Sequence, residues 1–199
     1  MYNGRYAKRE ETAVNKIIID TQENIDAIDS ILVADSEGGG SKMQNTVNLN
    51  YRFAISKGQS LNIDLDYGNY MNDKDRLQPN VYYNATEDTI LTQSTSQFET
   101  PNDIRIYSGK LDYERGLGKG TFSIGTKYSR VETDNTFKVY TVENDMAILD
   151  ESRSNQFDYT EDVYAGYLNY ARALGSNWNF STGLRLEQTS TKGDLTTFD

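Results

Sequence analysis

The side chains with the clearest catalytic potential in this sequence are paired carboxylates. Asp64 and Asp66 alternate along one predicted strand, so they share a face. Such a pair performs general acid and base catalysis only when desolvation of one member separates the two pKa values. A polar strand face that lines an aqueous space explains both residues with fewer assumptions. We therefore expect no catalytic residue, and we predict that the chain is not an enzyme.

A second acidic group has the donor atoms that a calcium ion prefers. It comprises Glu143, Asp145, Asp150 and Glu151. Ca²⁺ takes about six to eight oxygen ligands, but these residues lack the spacing of a calcium-binding loop. The chain also contains no His and no Cys, which removes the usual nitrogen and sulfur ligands. We expect a solvated loop here, and neither a metal site nor a cofactor anywhere in the chain.

The glycine-rich stretch SEGGGSK, residues 36–42, has the composition of a phosphate-binding loop. It lacks the Gly-Lys-Ser/Thr ending of that motif, and no helical pattern follows it. The sequence favours a flexible loop tip, and the stretch also resembles an engineered linker.

Composition narrows the class of protein. The net charge of −10 argues against nucleic acid as a partner, because phosphates require clustered Lys and Arg. Membrane-spanning helices are excluded because they need about 20 consecutive apolar residues, and the longest apolar runs, such as 17–19 and 31–34, fall far short of that length. Transmembrane strands remain possible, because each needs only about 9 to 11 residues, of which every second one faces lipid. Fifteen Tyr and only two Pro indicate a strand-rich chain.

Period-two alternation predicts one weak strand, at residues 2–13, and six clear strands. The clear strands form three hairpins, joined by tight turns and separated by long polar loops. We therefore predict an all-β fold, an antiparallel meander of about seven long strands within a single unit, 1–199. The predicted hairpins are 43–71, 104–133 and 160–190, the tight turns are 56–58, 116–119 and 174–177, and the long loops are 14–42, 73–103 and 134–158.

The apolar side of these strands carries an aliphatic band between two rows of aromatic residues. Rows of this kind mark the two interfaces of a membrane-spanning barrel. The opposite side carries charges such as Arg52, Asp64 and Asp66, which would line a water-filled or plugged lumen. The aliphatic residues are Leu49, Ile63, Ile124, Leu168 and Leu184; the aromatic residues near the tight turns are Tyr51, Phe53, Tyr113, Phe122, Tyr170, Trp178 and Phe180; those near the long loops are Tyr67, Tyr107, Tyr128 and Tyr164.

Two classes of protein fit this pattern. In the first, the chain is a segment of a transmembrane β-barrel. In the second, it is a soluble β-sandwich or a surface adhesin that binds glycan or protein through its long loops. Strands that alternate over 11 or more residues, with two aromatic rows, favour the barrel.

Two stretches carry a family resemblance. YTEDVYAGYLNYARALGSNWNFSTGLRLEQTSTKGDL, residues 159–195, and LDYERGLGKGTFSIGTKYSRVETDN, residues 111–135, resemble an outer-membrane β-barrel family that is abundant in Bacteroidetes and related to TonB-dependent receptors. The resemblance implies a barrel of roughly 22 strands around a plug, in the bacterial outer membrane. It implies the lipid bilayer, the TonB system and an unknown bulky ligand as partners. It identifies no ligand-binding residue.

The chain departs from that family pattern. No plug domain or TonB box is recognisable, the sequence ends without a terminal aromatic strand, and seven strands are an odd number, whereas single-chain bacterial barrels have an even one. We expect a segment of a larger barrel. A complete eight-stranded barrel would require residues 17–33 to supply a further strand.

Overall fold

The computed structural model describes residues 1–20 and 28–198, and nearly all of them lie in one antiparallel sheet. Within these residues, no helix is long and apolar enough to cross a membrane. The strands are β1 (Tyr2–Asp20), β2 (Ile28–Ser56), β3 (Gln59–Asn84), β4 (Ile90–Glu99), β5 (Asn102–Leu117), β6 (Gly120–Glu143), β7 (Met146–Leu149), β8 (Asn155–Leu174) and β9 (Trp178–Thr197).

The nine strands make seven passes along the sheet, as the alternation predicts. β4 and β5 form one pass between β3 and β6, interrupted only at Thr100 and Pro101. Proline has no N–H to donate, which breaks the ladder at that point. β7 and β8 form another pass, interrupted by a short 3₁₀ helix at Glu151–Arg153. The meander is therefore confirmed, and the weak first strand is longer than predicted.

The three predicted hairpins are confirmed in register. Leu49 lies opposite Leu65, Tyr113 opposite Ile124, and Leu168 opposite Leu184. Each tight turn contains a glycine with positive φ, a conformation that other residues rarely adopt. These glycines are Gly58, Gly118 and Gly175.

The prediction of three long loops is wrong for the described residues. The segments 14–20, 28–42, 73–84, 90–99 and 134–143 continue the strands. Short turns at 85–89 and 144–145 connect the first hairpin to the second and the second to the third. Residues 21–27 lie outside the described part. Alternation fails as a signal here because both faces of these extensions are largely polar, although the backbone remains paired. Residues 17–20 and 28–33 belong to β1 and β2, so they supply no separate eighth strand.

The prediction that residues 36–42 form a loop tip is also wrong. This stretch lies inside β2 and pairs with β1 on one side and β3 on the other. A Cβ atom on Gly38 or Gly40 would approach the carbonyl oxygens of Asp75 and Asp73 to 2.4 Å. Glycine is required there because neighbouring backbone occupies the space of a side chain.

The sheet has no packed apolar core of the kind a sandwich requires. Leu49, Ile124 and Leu184 are 59%, 48% and 60% exposed. The accessible surface is 14100 Å², whereas a compact monomer of 22.6 kDa exposes about 9,500 Å². The described residues contain only four buried hydrophobic side chains, which are Ile31, Ala34, Val139 and Ala165. The soluble sandwich is therefore excluded as the architecture of this sheet.

Candidate membrane surface, lumen and outer cavity

The apolar side of the sheet, which we call the outer face, carries the two predicted aromatic rows, and in the row farther from the predicted tight turns the rings contact one another across strands. The rings of Tyr67 and Tyr107 lie 5.2 Å apart, and those of Tyr128 and Tyr164 lie 5.0 Å apart. Between this row and the tight turns, Ile124 pairs with Leu168 in an aliphatic band. The outer face therefore presents oil-like surface bounded by amphipathic rings.

A belt of ion pairs begins directly beyond the tyrosine row on the outer face. The Tyr128 hydroxyl donates a hydrogen bond to Asp162 Oδ1 at 2.7 Å. Arg130 lies 2.8 Å from Glu132 and 3.8 Å from Asp162, and Arg105 lies 3.8 Å from Glu132. Charges of both signs are stable on this face only where water reaches them. The tyrosine row thus marks the edge of the apolar zone.

The opposite side, which we call the inner face, carries a hydrogen-bonded polar network. This network lies at the same depth as the apolar band of the outer face. Asn62 Nδ2 donates to Asp64 at 2.7 Å, Asn48 Nδ2 donates to Asp66 at 2.6 Å, and Asn50 also donates to Asp64. Asp64 and Asp66 are therefore used as acceptors within a polar wall. The predicted lumen lining is present at this position.

Within the acidic group at residues 143–151, Asp150 serves local structure. Asp150 caps the 3₁₀ helix by accepting hydrogen bonds from the Ser152 hydroxyl at 2.7 Å and from the Arg153 backbone N–H at 3.2 Å. The bonds from Ser152 and Arg153 lower the pKa of Asp150. Asp145 lies in the preceding turn with φ of 63°. Across the described residues, no group of three acidic side chains is arranged to hold a metal ion.

The inner face also contains a cavity of about 510 Å³, far along the strands from the tight turns. Its walls come from β1, β2, β3, β4 and β6, so the sheet curves enough to bring strands at different positions in its order around one space. Arg9, Lys42, Lys74 and Arg76 surround it, and Phe98 and Phe137 form one wall. Glu11 also lines it and pairs with Arg9 at 2.8 Å.

The family model that matches this chain is described as "Outer membrane protein beta-barrel family" and covers residues 52–199. The chain belongs to this outer membrane β-barrel family. The match includes the end of β2, all of β3 and every strand that follows it. No curated protein matches the chain.

Because the chain belongs to the outer membrane β-barrel family, its outer face contacts lipid and its inner face lines the interior of the barrel. The bacterial outer membrane is the location of the chain, and the lipid bilayer is its environment. The outer face between Tyr164 and Arg172 spans nine residues, within the range of about 9 to 11 that a tilted transmembrane strand needs. Arg115 and Arg172 lie at the tight-turn end of this zone, where their long side chains reach the interface.

The cavity was not predicted from the sequence. Its four cations lie in segments where the sequence predicts the weak first strand or loops; they are Arg9, Lys42, Lys74 and Arg76. The sequence contains one signal for a charged strand at this position. In MNDKDRL, residues 71–77, Lys74 and Arg76 alternate with Asp73 and Asp75. That alternation places the cations on the inner face and the carboxylates on the outer face.

Proposed function

We propose that the chain forms part of the wall of a transport barrel related to the TonB-dependent receptors of Bacteroidetes, which takes up a bulky ligand. The observation that carries this proposal is the continuation of the strands past the outer ion-pair belt. Arg76 follows Tyr67 by nine residues on β3, which is about 30 Å at about 3.3 Å per residue. The inner face therefore extends as a curved, charged wall beyond the bilayer, where a ligand would first contact the barrel.

The two ends of the sheet support a larger barrel. Within the described residues, β1 pairs only with β2, and β9 pairs only with β8. An unpaired backbone edge in lipid leaves polar groups unsatisfied at a cost of several kcal/mol for each group. Seven passes leave β1 and β9 running in the same direction, so antiparallel closure requires an odd number of further strands. The total is then even, as in bacterial barrels of one chain.

A surface adhesin is the second candidate function. The extended hairpins that would guide a ligand into a pore also present a large polar surface outside the cell. The proposed transporter uses this surface for capture before uptake, and its residues perform no covalent chemistry. The two functions differ in their need for energy, because the proposed transporter requires TonB and an adhesin does not.

Uptake by whole cells tests this proposal. Cells that produce the full protein and cells that lack it are incubated with a mixture of glycans, peptides and small organic acids. Mass spectrometry then follows the loss of each compound from the medium, with TonB present and with TonB deleted. We expect at least one compound to be depleted only when both the protein and TonB are present.

Two results would contradict the transporter. Depletion that persists without TonB would indicate a passive pore, because no energy transfer is then required. Binding of cells to an immobilised compound, with no accumulation of that compound inside them, would indicate an adhesin.

A further inference from the structure

The cavity on the inner face contains a trough whose floor has no side chains. Gly40 lies between Arg9 on β1 and Lys74 on β3, and Gly38 lies between Glu11 on β1 and Arg76 on β3. Neighbouring strands are about 4.8 Å apart, so the two walls of the trough are separated by about 10 Å. The glycines allow β3 to approach closely, because a Cβ on Gly40 would lie 2.4 Å from the Asp73 carbonyl oxygen and 3.2 Å from Lys74 Cγ, so the stem of the Lys74 side chain lies against this floor.

Cations dominate the walls of the trough. Among the described residues, no carboxylate lies within 4.0 Å of Lys42, Lys74 or Arg76, whereas Arg9 pairs with Glu11. The chain as a whole carries a net charge of −10. A cluster of three cations without carboxylate partners in such an acidic chain costs electrostatic repulsion, which a bound anion relieves.

One end of the trough is apolar and flat. The Phe98 and Phe137 rings lie 6.2 Å apart with an angle of 28° between their planes. The Arg76 guanidinium carbon lies 4.6 Å above the Phe98 ring. Arg76 is therefore held by a cation–π contact beside a half-buried aromatic surface, with its remaining donors free for an oxyanion.

The cations and the carboxylates of this part of β3 lie on opposite faces of the sheet. Asp73 and Asp75 alternate with Lys74 and Arg76 along β3, so the carboxylates lie on the outer face. A ligand inside the barrel thus meets the cations first.

We propose that this trough binds an anionic ligand that carries a flat ring, with its acidic groups between Lys42, Lys74 and Arg76 and its ring against Phe98 and Phe137. The volume of about 510 Å³ suits a small molecule or one terminal unit of a larger ligand. This inference rests on the proposed function in one respect, namely that the inner face is the surface on which ligand arrives.

Binding of 8-hydroxypyrene-1,3,6-trisulfonate, a fluorescent ring with three sulfonates, tests the site directly. Fluorescence anisotropy is measured with the full protein folded in neutral detergent micelles, at low and at high salt. We expect saturable binding that weakens as salt increases, because the contacts are ionic. Lys74→Gln and Arg76→Gln should each weaken binding about tenfold, the usual effect of one lost charge-assisted hydrogen bond.

The matched control is Arg185→Gln. Arg185 is an inner-face cation of β9 that follows Leu184, at the depth of the apolar band and outside the cavity, and it pairs with Glu187. This variant should bind the probe as the unaltered protein does. Phe137→Leu separates the two parts of the site, because it removes one ring while leaving the Phe98 ring that holds Arg76, so it should weaken binding of the pyrene probe and leave competition by inorganic phosphate unchanged.

Three results would overturn the proposed site. They are absence of saturable binding to the unaltered protein, normal binding by both Lys74→Gln and Arg76→Gln, and equal loss in Arg185→Gln. The heat-modifiable mobility of each variant on gels establishes that it is folded. Uptake that requires TonB, combined with normal binding by the trough variants, would reject this site and leave the transporter standing. Loss of binding in those variants, without any uptake, would support the site and reject the transporter.

Discussion

The Tyr167 hydroxyl donates a hydrogen bond to Asp112 Oδ1 across the intervening strand β6. Gly125 lies between them in register, opposite Tyr167 on β8 and Asp112 on β5. The tyrosine ring lies across the glycine, and Lys110 and Arg185 contact the ring face at 6.0 Å and 5.7 Å. One side chain thus connects three strands on the inner face and joins the cations of the lumen wall to an acceptor.

Replacing Gly125 with Ala should destabilise the barrel by about 1 to 3 kcal/mol, the usual cost of forcing extra volume into a packed position. The new Cβ would lie 2.5 Å from Asp112 Oδ1 and 2.6 Å from Tyr167 Cε2, so the ring would have to leave its position. Urea unfolding in micelles measures this change. Gly166→Ala is the control, because a Cβ there has no neighbour within 4 Å and should change stability little.

An introduced charge should cost much more stability on the outer face of β8 than on its inner face. Leu168 lies on the outer face between Ile124 and Leu184, near the middle of the apolar band, and Asn169 follows it on the inner face. Leu168→Arg should lower the free energy of unfolding in lipid vesicles by about 2 to 4 kcal/mol, because the charge enters hydrocarbon. Asn169→Arg, at the same depth, should cost much less. Equal costs for the two variants would contradict the assignment of lipid to the outer face.

The membrane-spanning part of the fold was predictable from the sequence because its two faces meet different solvents. Lipid on one side and polar lumen on the other impose strict alternation, and a slip of one residue would expose Arg52 and Asp64 to lipid. Tight turns containing Gly58, Gly118 and Gly175 then fix the register. The tyrosine row at Tyr67 and Tyr128 lies where the predicted apolar zone ends, and the ion pairs of the outer face begin directly beyond it.

The candidate ligand site was not predictable in the same way. Beyond the ion-pair belt, most strand residues meet water on both faces, so no apolar period distinguishes a strand from a loop. The composition around Gly38 and Gly40 favours a flexible loop, but both residues sit in a paired strand where neighbouring backbone excludes a side chain. The trough depends on the register of Gly40 with Arg9 and Lys74, and register between distant segments is not encoded locally.

Trp178 should report the depth of the tight-turn end of the barrel. It lies on the outer face at the start of β9, 75% exposed, and is the one tryptophan in this sequence. Its position at the aromatic row predicts a site near the headgroups. Lipids brominated close to the headgroup should therefore quench its emission more strongly than lipids brominated at the chain ends. Absence of quenching by either lipid would place Trp178 outside the bilayer.

The corner between β7 and β8 should open at acid pH. Hydrogen bonds from Ser152 and Arg153 lower the pKa of Asp150 below its ordinary value of 3.8. A lowered pKa in the folded state means that the carboxylate stabilises the corner above the unfolded pKa, and that this contribution is lost as pH falls through the folded pKa. Hydrogen exchange of the Arg153 amide, corrected for intrinsic rate, should accelerate below about pH 4.

Asp150→Asn provides the control for this pH effect. The amide keeps an oxygen that accepts the Arg153 N–H but has no charge to titrate, so protection of that amide should be weaker at neutral pH and nearly independent of pH below it. Ser154, only 2% exposed, independently anchors the corner by accepting the Val139 N–H at 3.0 Å. The strand β8 should therefore remain protected while the 3₁₀ helix opens. Simultaneous loss of protection in β8 would show that the acid effect is global unfolding, and Asp150 would then not be its cause.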